Sequence, residues 1–382
     1  MKVVSFFSGA GGLDLGYCLA GHEIIWANDF DEYAVQTYNL NIGRFQNHKA
    51  ICADIVKLLD TSKEQIDEII PDCDIIIGGF PCQGFTIANL SRSMEDERNF
   101  LYLQLLKAIS VKQPPFFQLE NVKGLESIDK GQVLPMIITD LENAGTCKSK
   151  LFPSNGAGYD VYYNVLNAYD FGVPQNRERV IILGIRRDVD YKTLSSHINP
   201  FPIIKSKPKK RLIINGTHSE HSEVIDPVSL KEKINTSYNK WINNSEVSID
   251  ICNNAIYHTT TLRDAIGDLP LNYSDNCAFH NHIGSACKVK IANHIGNRAT
   301  HWDKRAPTIM GRGSGTGGPL IPPHPEQHRR LSIREVARIQ TFPDEFVFQG
   351  NNSACYRQIG NAVPVLLAYH IARIFTEYEN NS

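Results

Sequence analysis

Four reactive side chains lie close to predicted strands. Cys82 stands between a proline and a glutamine in "GGFPCQGFT", and Glu120 lies in "FFQLENV". Arg177 and Arg179 occupy alternate positions in "QNRER", so both guanidinium groups point to one face of an extended chain. A thiolate is a nucleophile, a carboxyl group can transfer a proton, and nearby cations favour the thiolate over the thiol. The set indicates covalent catalysis, although a lone cysteine after an apolar strand is more often a small buried hydrophobe.

A second group of residues predicts a nucleotide-like ligand. "FFSGAGGLDLG" places glycines directly after the first predicted strand and before a helix, where open α/β sheets bind such ligands. The dinucleotide pattern G-x-G-x-x-G fails because Asp14 stands where its third glycine would be. The loop therefore favours a ligand without a pyrophosphate.

Two acids and two aromatic residues extend this predicted ligand face. Asp29, which ends the second predicted strand, could accept both ribose hydroxyl groups, and Asp54, after the third, could accept the adenine amine. Phe7 and Phe30 could supply aromatic surface to an adenine ring or a sulfonium cation. Each residue alone could equally be a strand-end cap or a core aromatic, but the ordered set favours an adenosine.

Alternating elements must position these residues. From residue 3 to about 187, seven β-branched runs alternate with amphipathic stretches at 13–20, 31–40, 99–112 and 135–143, which predicts a parallel sheet with crossover helices and Asp31 as an N-cap. From about residue 190 the chain is rich in Asn, Ser, Lys and His, with no sustained period. A helix is predicted in "LSIREVARIQTF", and another begins near Pro364. We expect a catalytic domain formed by residues 1–188 and 352–382, with a smaller, irregular domain at 189–351.

Composition excludes several classes of protein. The chain has 382 residues, 42% of them hydrophobic, and no apolar run near the roughly 20 residues of a membrane helix. Nine scattered cysteines predict reduced thiols rather than a disulfide framework, and no signal-peptide core follows the N-terminus. A cytoplasmic protein is expected. The formal net charge of -2 means that any polyanion must be held by a local patch.

Six segments together resemble the DNA (cytosine-5) methyltransferase family. In chain order they are "FSGAGG", "GGFPCQGFT", "ENVKG", "QNRER", "RRLSIREVARIQTFPD" and "YRQIGNAVP". The resemblance covers the chain except for its middle. It implies an S-adenosylmethionine-dependent methyltransferase with a Rossmann-like sheet and a target-recognition domain, which modifies a flipped-out cytosine in a short duplex DNA sequence.

The resemblance also assigns roles to the reactive residues. Cys82 would add to carbon 6 of the base, Glu120 would protonate N3 or hydrogen-bond to it, and Arg177 and Arg179 would position the base. It implies a cofactor site made of Phe7, Gly9, Ala10, Gly11, Gly12, Asp29, Phe30, Asp54, Ile55, Pro81, Leu101, Asn361 and Ala362. The expected DNA contacts are Gln83, Ser91, Arg92, Gln175, Lys209, Lys210, Arg211 and Arg312. No metal is required.

The middle of the chain leaves several features open. The run "KSKPKKR" could grip phosphates or be a solvated charge run. Cys277, His280, His282 and Cys287 lack the paired spacing of structural zinc sites. Arg334 and Arg338, about one helical turn apart, could be buried supports or phosphate contacts.

The partners expected are double-stranded DNA and a cognate restriction endonuclease that acts independently, with the protein itself a monomer. An RNA methyltransferase of the same fold is a rival, although the Cys-Phe-Thr tripeptide of the transfer-RNA branch is absent. A catalytically silent DNA-binding relative is another, and a nicotinamide dehydrogenase would fit the sheet but not Asp14.

Overall fold

The structure is a computed structural model. It describes residues 1–46, 48–81, 100–190, 198–200, 212–214, 224–225, 227–243, 256–257, 260–272, 278–284, 289–292, 297–311, 321–327 and 329–381.

A seven-stranded mixed sheet forms the centre of the molecule. Its strands are β1 (Lys2–Phe6), β2 (Glu23–Asp29), β3 (Ile51–Cys52), β4 (Ile75–Gly79), β5 (Phe116–Val122), β6 (Tyr159–Asn167) and β7 (Glu178–Arg186), in the spatial order β3-β2-β1-β4-β5-β7-β6. The first five run parallel, so their carboxyl ends share one edge. The expected seven strands are all present, but the expectation of a fully parallel sheet is wrong, because β7 runs antiparallel to both β5 and β6. In the described part of the chain, two further pairs of strands lie outside it: β8 (Ile198–Pro200) with β9 (Leu212–Ile214), and β10 (Val224–Ile225) with β11 (Ile256–Tyr257).

Helices cover both faces of the sheet. They are α1 (Gly12–Leu19), α2 (Glu32–Tyr38), α3 (Ile55–Leu58), α4 (Lys63–Ile69), α5 (Phe100–Lys112), α6 (Val133–Glu142), α7 (Pro227–Ile242), α8 (Leu262–Ile266), α9 (Ile333–Ile339), α10 (Asn352–Asn361) and α11 (Val365–Asn381). A π-helical turn spans Asn39–Gly43, and short 3-10 turns span Lys123–Glu126, Ile128–Gly131 and Ala168–Phe171. The predicted helices of the first 143 residues are confirmed. Asp31 caps α2 by accepting hydrogen bonds from the amides of Tyr33 and Ala34.

The sheet has one apolar cluster on each side. Helices α3 to α6 pack on one face, whereas α1, α2 and α11 pack on the other. α1 and α11 approach closely at Gly16, where an added Cβ would lie 2.6 Å from the backbone nitrogen of Tyr369. This contact brings the last helix against the first.

The middle of the chain contributes to the same core. Leu230, Ile234, Tyr238 and Trp241 of α7 belong to the cluster that contains α1 and α11, as do the apolar residues of α9. Among the described residues, one apolar cluster therefore includes side chains from both sides of residues 189 and 351, and the two-domain division stays a prediction. The stretch Asn352–Thr376 is long and apolar enough to cross a membrane by length and composition, but 72% of its apolar 18-residue window is buried inside the protein.

Candidate active site

Glu120 and Arg179 form a buried ion pair at the edge where the parallel strands end. Arg179 Nε lies 2.8 Å from Glu120 Oε1, and the side chains are only 11% and 10% exposed. Antiparallel pairing of β5 with β7 opposes Val122 to Arg179, which brings the start of β7 to the end of β5. Glu120 of "FFQLENV" and Arg179 of "QNRER" are therefore neighbours in the structure.

The strand that leads toward Cys82 runs beside this pair. Gly79 is in register with Glu120, and a Cβ added to Gly79 would lie 3.0 Å from Glu120 Oε2, so the glycine leaves room for the carboxylate. The buried side chain of Asn121 donates a 2.9 Å hydrogen bond to the carbonyl oxygen of Phe80. Pro81 follows as an exposed residue. Cys82, Gln83, Ser91 and Arg92 lie outside the described residues.

Arg177 is buried, and its guanidinium group is bonded to backbone carbonyl groups of the protein. Its guanidinium group donates to the carbonyl oxygens of Ile309 at 2.7 Å and of Gly360 and Ala362 at 2.9 Å each. Among the described residues no carboxylate lies within ion-pair distance, and burial, with the charge of Arg179, holds its pKa well below the usual value. A catalytic role through direct contact with the base disagrees with this placement. Arg177 instead fastens two distant segments to β7.

Gln175 is equally buried, and its amide is used within the protein. Its Nε2 donates to Gln340 Oε1 at 2.8 Å, and its Oε1 accepts from the amide of Ile309 at 2.8 Å. Gln340 in turn donates to the carbonyl oxygen of Ile359 at 2.8 Å. The predicted DNA contact of Gln175 is thus corrected to a structural role, because no part of its side chain is exposed.

The glycine loop and the end of β2 form the predicted cofactor face. Asp29 Oδ2 accepts the amide of Gly9 at 2.8 Å, and Oδ1 accepts the amide of Asp31 at 2.9 Å. Burial raises the pKa of Asp29, and these backbone donors oppose the shift. Phe30 is 76% exposed, and among the described residues a Cβ added to Gly9 would meet no atom within 4 Å. The loop therefore borders open space, with an oriented acid and a free aromatic ring beside it.

The other predicted cofactor residues surround this face or support it. Asp54 is exposed and caps α3 through the amide of Val56 at 3.0 Å. Asn361 is exposed and Ala362 half-buried at the end of α10. The remaining ones are placed as follows: Phe7 is half-buried with a positive φ of 54°, Ala10, Gly11, Gly12 and Ile55 are buried, and Leu101 is half-buried on α5.

Gly12 joins the two ends of the chain at this face. A Cβ there would lie 2.6 Å from the carbonyl oxygen of Val363 and 3.0 Å from Ala362 Cβ. Only glycine allows the loop to approach the C-terminal segment so closely. An acid with two backbone donors, an exposed aromatic ring and a glycine-lined space fit an adenosine-containing methyl donor such as S-adenosylmethionine.

Predicted features of the middle region divide into two groups. Lys209, Lys210, Arg211, Arg312, Cys277 and Cys287 lie outside the described residues. Arg334 and Arg338 could have been buried structural residues or phosphate contacts, and the structure favours the structural role. Arg334 donates to three backbone carbonyl groups, and Arg338 pairs with Asp344 and Asp268. Both ring nitrogens of His282 are occupied, by Ser332 Oγ and the carbonyl oxygen of Pro270, which argues against a metal ligand there.

Two functional positions were not singled out from the sequence. Asn121 holds the backbone two residues before Cys82, and Gln340 joins Gln175 to α10. In the sequence, the signal for each of them was a polar residue inside or directly after an otherwise apolar strand or helix. Buried polar groups require partners, so each such residue points to a fixed contact.

Comparison with known proteins agrees with this geometry. The C-5 cytosine-specific DNA methylase family matches residues 1–376. Type II methyltransferase M.NgoFVII of Neisseria gonorrhoeae is 34% identical over 98% of this chain and 87% of its own length, and M.BsuRI of Bacillus subtilis is 33% identical over 97% and 78%. The solved structure of S. pombe Dnmt2 methyltransferase shares the fold, with a TM-score of 0.56 at 18% identity, covering 98% of each chain. The chain belongs to the C-5 cytosine-specific DNA methylase family.

Proposed function

We propose that this protein methylates carbon 5 of one cytosine within a specific short sequence of duplex DNA, as the modification enzyme of a restriction-modification system. The observation that carries the proposal is the buried Glu120–Arg179 pair beside the strand that leads to Pro81 and Cys82. An ion pair held by two strands of one sheet can present a carboxyl group to a base in a fixed orientation.

The chemistry explains the choice of residues. Carbon 5 of cytosine is a poor nucleophile until a thiolate adds to carbon 6 and converts the ring into an enamine. Cys82 forms this carbon–sulfur bond, and Glu120 supplies a proton or a hydrogen bond at N3, so that negative charge does not accumulate on the ring. Carbon 5 of the enamine then takes the methyl group and leaves its donor as a neutral thioether. Loss of the carbon 5 proton and expulsion of the Cys82 thiolate restore the aromatic base, now methylated, while the proton at N3 returns to Glu120.

The protein's own residues prepare this reaction. S-adenosylmethionine supplies the electrophilic methyl group when bound. Asp29 receives its ribose hydroxyl groups, and the exposed ring of Phe30 covers part of the adenosine. Arg179 orients the Glu120 carboxyl group, whereas Arg177 acts as a positioning residue through the segments it holds.

DNA must deliver the base to this edge of the sheet. A stacked cytosine cannot be approached above its ring, so it rotates out of the duplex at a cost of about a few kcal/mol. Gln83, Ser91, Arg92, Lys209, Lys210, Arg211 and Arg312 stay as proposed DNA contacts. The restriction-modification role is supported by relatives that are named type II methyltransferases, and those names favour DNA over RNA as substrate. We further propose that the protein works as a cytoplasmic monomer beside an independent endonuclease.

The decisive experiment is methyl transfer to duplex DNA of mixed sequence, followed by conversion sequencing. Marks on carbon 5 of cytosine at one short site are expected, whereas marks on adenine, or none, would contradict the proposal. Cys82→Ser should abolish transfer. DNA with 5-fluorocytosine at the target should accumulate a covalent complex with the wild-type protein, because fluorine cannot leave as a cation; DNA binding without transfer or trapping would instead indicate a silent relative.

A further inference from the structure

An ion pair between Asp31 and Arg357 joins the two ends of the chain beside the cofactor face. Arg357 Nε and Nη2 lie 3.0 and 2.5 Å from Asp31 Oδ2, across 326 residues of sequence. Asp31 begins α2, directly after Phe30, and Arg357 lies in α10. Neither residue belongs to the reacting group or to the cofactor contacts assigned above.

On the N-terminal side, Asp31 fixes the acid that faces the ribose. Its amide donates to Asp29 Oδ1 at 2.9 Å, while its own Oδ1 caps α2 by accepting the amides of Tyr33 and Ala34 at 3.1 and 3.2 Å. The second carboxylate oxygen, Oδ2, receives Arg357. The side chain of Asp31 thus caps α2, and its backbone amide fixes the orientation of the Asp29 carboxylate.

On the C-terminal side, Arg357 lies one helical turn before Asn361. Residues spaced by four share a face of a helix, so a fixed Arg357 also fixes the direction in which α10 presents Asn361. The pair therefore joins the segment that carries Asp29 and Phe30 to the helix that ends at Asn361.

A separate set of buried hydrogen bonds holds the two helices together. Thr37 Oγ1 donates to Gln358 Oε1 at 2.7 Å, and Gln358 Nε2 donates to the carbonyl oxygen of Gln349 at 2.8 Å. Thr37 and Gln358 are buried, whereas the Arg357 side chain is 43% exposed. Loss of the ion pair should leave α2 and α10 packed together through Thr37 and Gln358, and should loosen only the partly exposed part of the contact at Asp31 and Arg357.

We propose that Asp31 and Arg357 are a positioning pair for S-adenosylmethionine, which holds the two halves of its site at a fixed separation. The pair acts on cofactor affinity and leaves the methyl-transfer step unchanged. This inference rests on the proposed cofactor roles of Asp29 and Asn361. Partly exposed ion pairs add little to global stability, so its effect should appear in binding rather than in unfolding.

The test uses two variants that remove one charge of the ion pair with little change in side-chain size, and one variant that keeps the charge. Asp31→Asn keeps an oxygen that can cap α2 but loses the charge, Arg357→Met keeps the aliphatic stem, and Arg357→Lys keeps the charge. The exposed pair of Arg263 and Asp303, 2.8 Å apart, provides Arg263→Met as a matched control outside the residues assigned to the cofactor. Titration calorimetry with S-adenosylmethionine gives the Kd, and steady-state kinetics gives kcat at saturating cofactor.

We expect Asp31→Asn and Arg357→Met each to raise the Kd about two- to fivefold, the range for one partly exposed ion pair, with the double variant no weaker than the single ones. Arg357→Lys should bind nearly as well as wild type, and kcat should be unchanged. The wild-type Kd should rise with salt, and the variants should respond less, because salt screens the pair that they have lost.

Equal Kd values for wild type and both neutral variants would overturn the positioning role alone, as would additive effects in the double variant. A fall in kcat at unchanged Kd would also overturn it. Failure of the wild-type protein to bind S-adenosylmethionine would instead overturn the cofactor assignment, and this proposal with it. Unfolding temperatures of the variants should match that of Arg263→Met.

Discussion

Asp14 should make the stability of the protein depend on pH in a measurable way. It lies in the first turn of α1 with no exposed surface, and Tyr38 Oη donates to its Oδ1 at 3.1 Å. Burial raises the pKa of Asp14 from 3.8 to about 7, and the hydrogen bond from Tyr38 opposes this rise. The folded state thus favours the protonated acid, and folding must pay for the carboxylate at higher pH.

The size of the effect follows from the shift. A folded-state pKa above the unfolded one gives stability that is complete below pH 4 and is lost as the pH rises through about 7. With about 1.4 kcal/mol per pKa unit, the loss is roughly 1.5 kcal/mol at pH 5 and about 4 kcal/mol at pH 8. Asp14→Asn cannot ionise. The free energy of unfolding of this variant, relative to wild type, should therefore improve by about 2.5 kcal/mol between pH 5 and pH 8.

Urea unfolding at several pH values, followed by circular dichroism, measures this difference directly. The amide of Asp14→Asn can change the free energy of unfolding by an amount that does not depend on pH. This amount cancels, because the comparison uses only the change in that free energy between pH 5 and pH 8. Tyr38→Phe is a companion variant: it removes a hydroxyl that stabilises the carboxylate, so its stability should fall more steeply with pH than that of wild type. Parallel curves for wild type and Asp14→Asn between pH 5 and pH 8 would refute the reasoning.

Three further predictions concern the site and its supports. Glu120→Gln should lower kcat by about a hundredfold or more without changing the Kd of S-adenosylmethionine, because an amide can donate a hydrogen bond to N3 but cannot transfer a proton; equal turnover in the transfer assay would exclude proton transfer by Glu120. Gly12→Ala should weaken cofactor binding and lower the unfolding temperature, since its Cβ would lie 2.6 Å from the carbonyl oxygen of Val363; calorimetry and thermal unfolding check both. Gln340→Met should cost about 1–3 kcal/mol in urea unfolding, because it leaves the buried Nε2 of Gln175 without its acceptor and removes one of the donors to the carbonyl oxygen of Ile359; a smaller loss would mean that Gln175 Nε2 finds another acceptor.

Local sequence patterns predicted the elements well because local forces form them. The β-branched runs, the glycine loop after β1 and the N-cap at Asp31 depend on neighbours within one or two turns of the chain. The direction of β7 was not predictable in this way, since it depends on how far the chain travels between β6 and β7, and a short return gives an antiparallel pair.

Helix α7 was missed although its signal is present. Leu230, Ile234, Tyr238 and Trp241 follow at intervals of four, four and three, which is the stripe of a helix with one apolar face. The abundance of Lys, Asn and Ser between them obscured the period. Their burial against the core of α1 and α11 shows that a polar average composition does not exclude a core-forming element.

The two arginines of "QNRER" show where inference from sequence stops. Their alternate spacing places both on one face of the chain, but the structure gives them different partners: Arg179 meets a carboxylate of the neighbouring strand, and Arg177 meets carbonyl groups from segments more than 130 residues away. A guanidinium group serves either purpose, since it can pair with a carboxylate or donate to several carbonyl oxygens at once. Which purpose it serves depends on which segment covers it. The residue type therefore specifies the chemistry that is available, and only the long-range packing decides whether that chemistry faces the base or the interior.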